Sequence, residues 1–401
     1  MDLTHSDLTP AAQAWLDFTR RLGEAGLQIH KLSEGSLATT PQQSGEVNEH
    51  LMHVLTQAIL MIPRIDPDHP EWFPLLNSTI RAFNGNQDTV YNVSRIRGSG
   101  VYRVSGHRGT ARIFYLQIKH GQFGIDATSK FVRDINVDEF KIAADGAYEI
   151  LLSAERPAGY DGAWVPIDRE IDNIYLSARR VADDWVNDID PTLSIQRIDK
   201  DIEQAHWTPA EYNERLNAIP NYVQLYAQNF VGIVKRQHAL IPTNAMIEVT
   251  SMLPTYGDQA YGHGIVEIGD DEAWILETDV IDPTAYWGVQ IMDAMGNTLD
   301  FMNRQCGLNS HQGKVDSDGR LRVVVSRHDP GVLNWIDKAD YDRVTVRCRF
   351  FDSAFPKIKT EVVTLSSLLD HLPADTARVS ASERQEALLA RAKGAQLRRR
   401  W

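Results

Sequence analysis

Two short stretches of this chain combine ionisable side chains with turn residues in patterns suited to proton transfer. The first is Asn84-Gly85-Asn86-Gln87-Asp88-Thr89-Val90-Tyr91-Asn92, a turn-rich approach to a strand. A carboxylate hydrogen-bonded to a phenol is an acid–base pair once both are buried, and Asp88 with Tyr91 fits that description. The plainer alternative is an Asx-type turn in which Asp88 only caps backbone N–H groups.

The second stretch is Ser326-Arg327-His328-Asp329-Pro330-Gly331-Val332-Leu333-Asn334-Trp335. His328 stands at the end of a strand pattern, where β scaffolds carry their sites, and imidazoles titrate near neutrality. Asp329-Pro330-Gly331 is a tight-turn signal, so Asp329 either orients His328 or serves the turn alone. Tyr286-Trp287 and Asn303-Arg304 belong to the same half of the chain. In this reading His328 is the general base or acid and Asp329 its orienter. Arg304 and Asn303 stabilise developing negative charge, and Tyr286, Trp287, Asn334 and Trp335 line the pocket.

Other chemistries find less support. There is no G-x-S-x-G elbow, Walker A loop, G-x-G-x-x-G fingerprint, H-E-x-x-H or C-x-x-C. No cofactor and no metal are therefore expected. A metal site built from His263, His311, His328 and a carboxylate is neither favoured nor excluded by spacing. His50 and His53 lie one helical turn apart, which suits a shared metal, but a solvated helix face is the reading preferred here.

Composition narrows the class. The chain has 401 residues, 43% hydrophobic and 24% charged, and a formal net charge of −13. That is room for two sizeable cores, and the acidity argues against nucleic acid as a partner. The longest apolar helical run, Ala58–Ile62, is far short of a membrane span. No signal peptide is visible, and Cys306 and Cys348 are the two cysteines. A cytoplasmic protein without membrane contact is the expectation.

The elements that must hold these residues follow from periodicity. Thr9-Pro10 reads as an N-cap with Pro at the first helical position, followed by an apolar stripe at Trp15, Phe18 and Leu22. Val47 to Ile62 predicts a second helix, which the prolines of Pro63–Pro74 end. From about Asn84 the period becomes two, and Ile113–Ile118, Tyr148–Leu152 and Ile174–Leu176 predict strands. Thr208 and Glu211 form a capping box for a helix that Pro220 should kink or divide. A second β region runs from about Ala245 to Phe351. In it Val344, Val346, Cys348 and Phe350 alternate with Arg343, Thr345, Arg347 and Arg349, predicting a strand with one wet face. Ser380 and Glu383 cap a last helix, with Arg391, Lys393 and Arg398–Arg400 complementing its dipole. Leu388-Leu389 suggest that this helix packs on another surface, with a homodimer as one outcome.

The two β regions read as copies at an offset of 173 residues. Phe114–Ile118 lies over Trp287–Ile291, Asp145-Gly146 over Asp318-Gly319, and Ile150–Ser153 over Val323–Ser326. A two-residue deletion then sets Trp164 opposite Trp335. Arg327-His328-Asp329 stands against Ala154-Glu155-Arg156, so the second copy carries polar groups that the first lacks.

The Asn86, Asp88, Thr89, Tyr91 segment with the Phe114–Ile118 strand resembles domain-of-unknown-function family 1254. Ala285-Tyr286-Trp287, Asn303-Arg304, Asp318-Gly319, Asp329-Pro330-Gly331 and Asn334-Trp335 resemble family 1214. The resemblance implies two β-sandwich or jelly-roll-like domains joined by helices, and no established reaction. The expected fold is mainly β with α additions: a helical segment 1–76, a β domain 77–200, a connecting helix 201–243, a second β domain 244–360 and a helical tail 361–401. The expected function is a cofactor-independent enzyme acting on a small organic molecule by hydrolysis, elimination or isomerisation. A non-catalytic carbohydrate or small-ligand binder and a metal-dependent enzyme are the alternatives.

Overall fold

The computed structural model describes residues 8–249, 259–280, 282, 284–351 and 354–398. Helices α1 (Pro10–Ser33) and α2 (Pro41–Met61) open the chain, each with Pro in the first turn. Thr9 caps α1 by accepting from the Ala12 N–H, and Thr40 caps α2 by accepting from Gln43. Both helices pack on α3 (Pro209–Leu240), whose Thr208/Glu211 capping box forms as the residues suggest.

Pro220 does not divide α3. It is buried with Ile219, Tyr222 and Val223, and their packing against α1 and α2 outweighs the missing backbone hydrogen bond. The solvated-face reading of α2 is also corrected. His50 and His53 both turn inward, and His50 stacks on Phe230 with ring centroids 5.4 Å apart.

The first β region contains β1 (Phe73–Leu76), β2 (Thr89–Ile96), β3 (Tyr102–His107), β4 (Ile113–His120) and β5 (Lys130–Asn136). It continues through β6 (Ala147–Ser153), β7 (Ala163–Pro166), β8 (Ile174–Val181) and β9 (Ser194–Arg197). These make two sheets, ordered β1-β2-β8-β4-β5 and β7-β6-β3-β9. One apolar core joins them, filled by Tyr102, Val104, Phe114, Leu116, Ile150 and Leu176.

The second region runs through β10 (Ala245–Glu248), β11 (Gln259–Val266), β12 (Glu272–Asp279), β13 (Trp287–Met292) and β14 (Gly307–Asn309). β15 (Arg320–Ser326), β16 (Trp335–Asp337), β17 (Val344–Phe351) and β18 (Ile358–Thr364) complete it. Its sheets are ordered β10-β11-β17-β13-β14 and β16-β15-β12-β18. Position for position this is the first region again, including the parallel pairs β6/β7 and β15/β16. Gln117 and Gln290 occupy the corresponding strands β4 and β13, and Ser153 and Ser326 end β6 and β15. The tryptophans keep the same bond in both copies: Trp164 Nε1 donates to Ser153 Oγ at 2.9 Å, and Trp335 Nε1 to Ser326 Oγ at 2.9 Å. The protein is thus mainly β, with two sheet-rich halves in tandem.

Helix α4 (Ala381–Leu397) ends the described chain, with its Ser380/Glu383 capping box formed. The surface it covers belongs to its own chain. Arg384, Arg391 and Arg398 repeat every seventh residue along one face, and Arg391 lies over the Trp185 ring at 4.3 Å. Arg391 and Arg398 therefore hold carbonyls and carboxylates of both β regions rather than merely answering the helix dipole. The one wet face expected for β17 is absent, because all eight of its residues are buried.

Candidate functional site

The Asn84–Asp88 segment crosses between the two β regions. Phe83 and Asn84 both adopt left-handed backbone conformations, with φ 64° and 53°, which side chains other than glycine seldom take. The segment is fastened to the second region: Gln87 N donates to Gln290 Oε1 at 3.0 Å, and Asn84 N to Gly296 O at 2.9 Å. An Asx turn does form here, but Asn86 makes it, accepting from the Asp88 N–H at 3.1 Å.

Asp88 does not pair with Tyr91. Its carboxylate accepts from Tyr286 Oη at 2.6 Å, Trp185 Nε1 at 2.9 Å and Asn309 Nδ2 at 2.9 Å. Burial raises its pKa, and the Tyr286 and Asn309 hydrogen bonds pull the other way. Tyr91 instead accepts from the Asn86 N–H at 3.1 Å. The reason is geometric: alternation sends Tyr91 to the outer sheet face, while Asp88 precedes the strand and meets the opposite domain.

The other expected site residues are placed in structural roles. Tyr286 is held by Asp88, and Trp287 lies in the second apolar core. Arg304 is exposed and pairs with Asp337 at 2.6 Å, while Asn303 is exposed and donates to Asp300. His328 is exposed, and its carbonyl accepts from Ser326 Oγ at 2.8 Å. Asp329 accepts from the Gly331 N–H and pairs with Arg384 at 2.9 Å. Asn334 bonds the backbone of Lys314 and Arg322, and Trp335 is buried beneath the Arg384 guanidinium. Among the described residues His328 and Arg304 lie on the exposed surface while Tyr286, Trp287 and Trp335 are buried, so they do not form one lining. Among the described residues no group of three His, Cys, Asp or Glu side chains is placed to hold a metal.

A cavity of about 470 Å³ lies elsewhere, between the outer faces of the two five-stranded sheets, with α3 along a third side. The first sheet contributes Tyr91, Gln117, Lys119 and Arg179, and the second contributes Tyr261, Arg347 and Arg349. Tyr226, Phe230 and Gln237 come from α3, and Phe83 and Asn84 from the crossing segment. Tyr91 is the one residue of the sequence-derived site found in this lining. The volume and the mixture of aromatic walls with a few polar groups are those of a small-molecule site.

Its electrostatics are cationic. Arg179 lies over the Tyr91 ring at 5.3 Å, and Arg347 over the Tyr261 ring at 5.7 Å. Lys119 Nζ donates to Gln122 Oε1 at 2.9 Å, and Arg349 donates to Asn84 O. Among the described residues Lys119, Arg347 and Arg349 form no ion pair. Arg347 Nε and Gln237 Oε1 are buried without a hydrogen-bond partner among the described residues. Burial, and after it the charge of Arg179, brings Lys119 down to about 7. Burial and then Arg349 bring Arg347 down to about 10. His263, across the ladder from Arg347, is pushed well below the usual imidazole range by burial and then by Arg347, so it is neutral. Such a wall attracts an anion, and Lys119 exchanges its proton at physiological pH.

The duplication made this lining twice. On either side of the stretch with offset 173, β2 matches β11 and β8 matches β17 at an offset of 170, which sets Tyr91 on Tyr261 and Arg179 on Arg349. In the ladders Tyr91 faces Arg179, and Tyr261 faces Arg349. The sequence signal was the arginine alternation in β17, which resembles a solvated face until a second sheet covers it. The structure brings the comparison of the two copies to bear where they agree, on Tyr and Arg, rather than where they differ.

The family model described as a protein of unknown function (DUF1214) matches residues 270–355. No curated protein matches the sequence significantly. The crystal structure of an uncharacterised protein from Burkholderia cenocepacia is 25% identical, covering 88% of this chain and 98% of that one, with a TM-score of 0.80. A Vibrio parahaemolyticus protein of known structure is 12% identical over 86% of this chain and 99% of that one, with a TM-score of 0.43.

Proposed function

We propose that the chain binds a small organic anion in the cavity between its β domains and moves a proton on it, as an enzyme without a cofactor. One observation carries the reading: Lys119, Arg179, Arg347 and Arg349 line a single cavity of about 470 Å³. Arg347 and Arg349 hold the anionic group, where a planar guanidinium matches a carboxylate in two hydrogen bonds. Tyr91, Tyr261 and Phe230 form the apolar and aromatic walls. Lys119, brought down to about 7, is the group that accepts or gives the proton. On the same reading the N-terminal half is a 1254-type domain beside its 1214-type partner, which the shared strand order supports, and the free, buried cysteines suit a cytoplasmic setting.

Phenylacetate titrated calorimetrically into the protein tests the anion site. Lys119 is cationic below about pH 7 and neutral above it, so affinity should fall as pH rises from 6 to 8. Lys119→Met should flatten that slope while leaving the thermal midpoint no lower. A slope unchanged in the variant would remove Lys119 from the site. Against a panel of carboxylate-bearing esters, amides and enolisable ketones, the same variant should lose about 10²-fold or more in turnover. Binding without turnover across that panel would favour a non-catalytic binder.

A further inference from the structure

We propose that the ligand carries a hydrogen-bond donor, a hydroxyl or N–H, besides its anionic group, and that Gln237 on α3 accepts from it. This rests on the anion-binding reading of the cavity and specifies the substrate class. The observation is a pair of polar atoms in the lining with opposite needs. Arg347 Nε is a donor and Gln237 Oε1 an acceptor, and among the described residues neither has a hydrogen-bond partner. Both residues are more than nine-tenths buried. Buried polar atoms are nearly always paired in folded proteins, so orphans that border a cavity mark contacts a ligand supplies. A carboxylate answers Arg347 alone. It has acceptor oxygens and no proton, and at Gln237 it would set oxygen against oxygen.

Neighbouring residues give this end of the cavity the same character. His238 follows Gln237 on α3, and His263 lies opposite Arg347 in the β11/β17 ladder. Both ring nitrogens of each histidine are buried and unpartnered among the described residues. Burial, and after it Arg347 and His238, pushes His263 well below the usual imidazole range, while burial and then Arg343 bring His238 down to about 4. Two neutral imidazoles therefore stand beside Gln237 and Arg347, each offering one donor and one acceptor rather than a charge. At the offset of 170 the first copy has Val93 and Ser177 where the second has His263 and Arg347. That difference sets the donor end of the ligand towards the second β region. The rings of Phe83, Tyr226 and Phe230 pack together in the same lining, with Phe83 and Tyr226 centroids 4.0 Å apart, and suit an aromatic frame.

The experiment is calorimetric titration at pH 6.5 with phenylacetate and three hydroxylated relatives. Mandelate, 3-hydroxyphenylacetate and 4-hydroxyphenylacetate set the hydroxyl at increasing distance from the carboxylate. Their methyl ethers keep the oxygen and have no proton to give. Pairing a buried acceptor that is otherwise orphaned corresponds to about tenfold or more in affinity. At least one hydroxy acid should bind that much tighter than phenylacetate, and its ether should not. Gln237→Met should erase the preference, leave the affinity for phenylacetate unchanged and keep the thermal midpoint no lower, because it removes an unpaired polar atom. Should the variant not fold, hydroxy acids against ethers on the unaltered protein decide alone. Hydroxy acids no tighter than phenylacetate, ethers as tight as the hydroxy acids, or a preference that persists in the folded variant would each overturn the donor assignment and leave the anion site standing. No binding by any of the acids would overturn both.

Discussion

Asp88 receives three side-chain donors in a place without solvent, and two of them come from the opposite half of the chain. Its removal leaves Trp185 Nε1 buried without an acceptor, while Tyr286 Oη keeps Asn86 Oδ1 at 3.3 Å and Asn309 Nδ2 keeps the Asp183 carbonyl at 3.1 Å. Each such orphan costs about 1–3 kcal/mol. Asp88→Ala should therefore lower stability by about 1–3 kcal/mol in denaturant unfolding. An unchanged midpoint would show that the network does not join the domains. The sequence offered Asp88 either a bond to Tyr91 or a turn-capping role, because a partner almost two hundred residues away has no local signature. His328 and Asp329 misled for the opposite reason. Their turn chemistry is strong and local, and it serves a Ser–carbonyl bond that recurs in the first copy, where Ser153 donates to the Glu155 carbonyl.

Helix α2 illustrates the element scale. Its Glu46 accepts from the Ala294 N–H at 2.9 Å, beside Asp293 at the end of β13. Asp293 in turn accepts from Asn297, whose side-chain oxygen meets His50 Nδ1 at 2.9 Å. Burial is the main cause that raises Glu46 to about 7, and Asp293 is raised well above the ordinary carboxylate range. The sign follows from linkage. Below pH 4.5 Glu46 is protonated in both folded and unfolded chains. Between about 4.5 and 7 the unfolded chain releases a proton that the folded one keeps, so stability falls as pH rises through this window. Glu46→Gln keeps an acceptor for Ala294 N–H and removes the ionisation. Its midpoint should exceed that of the unaltered protein at pH 8 by an amount on the order of 2 kcal/mol, and the difference should shrink towards pH 4. An equal pH profile in both proteins would contradict this. The helices themselves were legible, since caps, prolines and apolar spacing are local. Which way α2 turned its histidines was not, because the covering surface comes from β13 and α3.

At the scale of the molecule, the tandem arrangement was legible in matched turns and strands. It is now seen in two pairs of sheets with matching strand order and in two Trp–Ser hydrogen bonds. The cavity between the copies was not legible, because alternating arginines in β17 look the same whether they face water or a second sheet. Only the packing of two five-stranded sheets and α3 turns that face inward. Fluorescence titration tests this most directly, using 8-anilino-1-naphthalenesulfonate and its neutral counterpart N-phenyl-1-naphthylamine. The two probes share their rings and differ in the sulfonate. The folded protein should bind the sulfonate with one-to-one stoichiometry and about tenfold or more above the neutral probe. The Arg347→Met/Arg349→Met variant should lose that preference while keeping its thermal midpoint. Equal binding of both probes, or a sulfonate preference that survives in the folded variant, would contradict an anion site between the two domains.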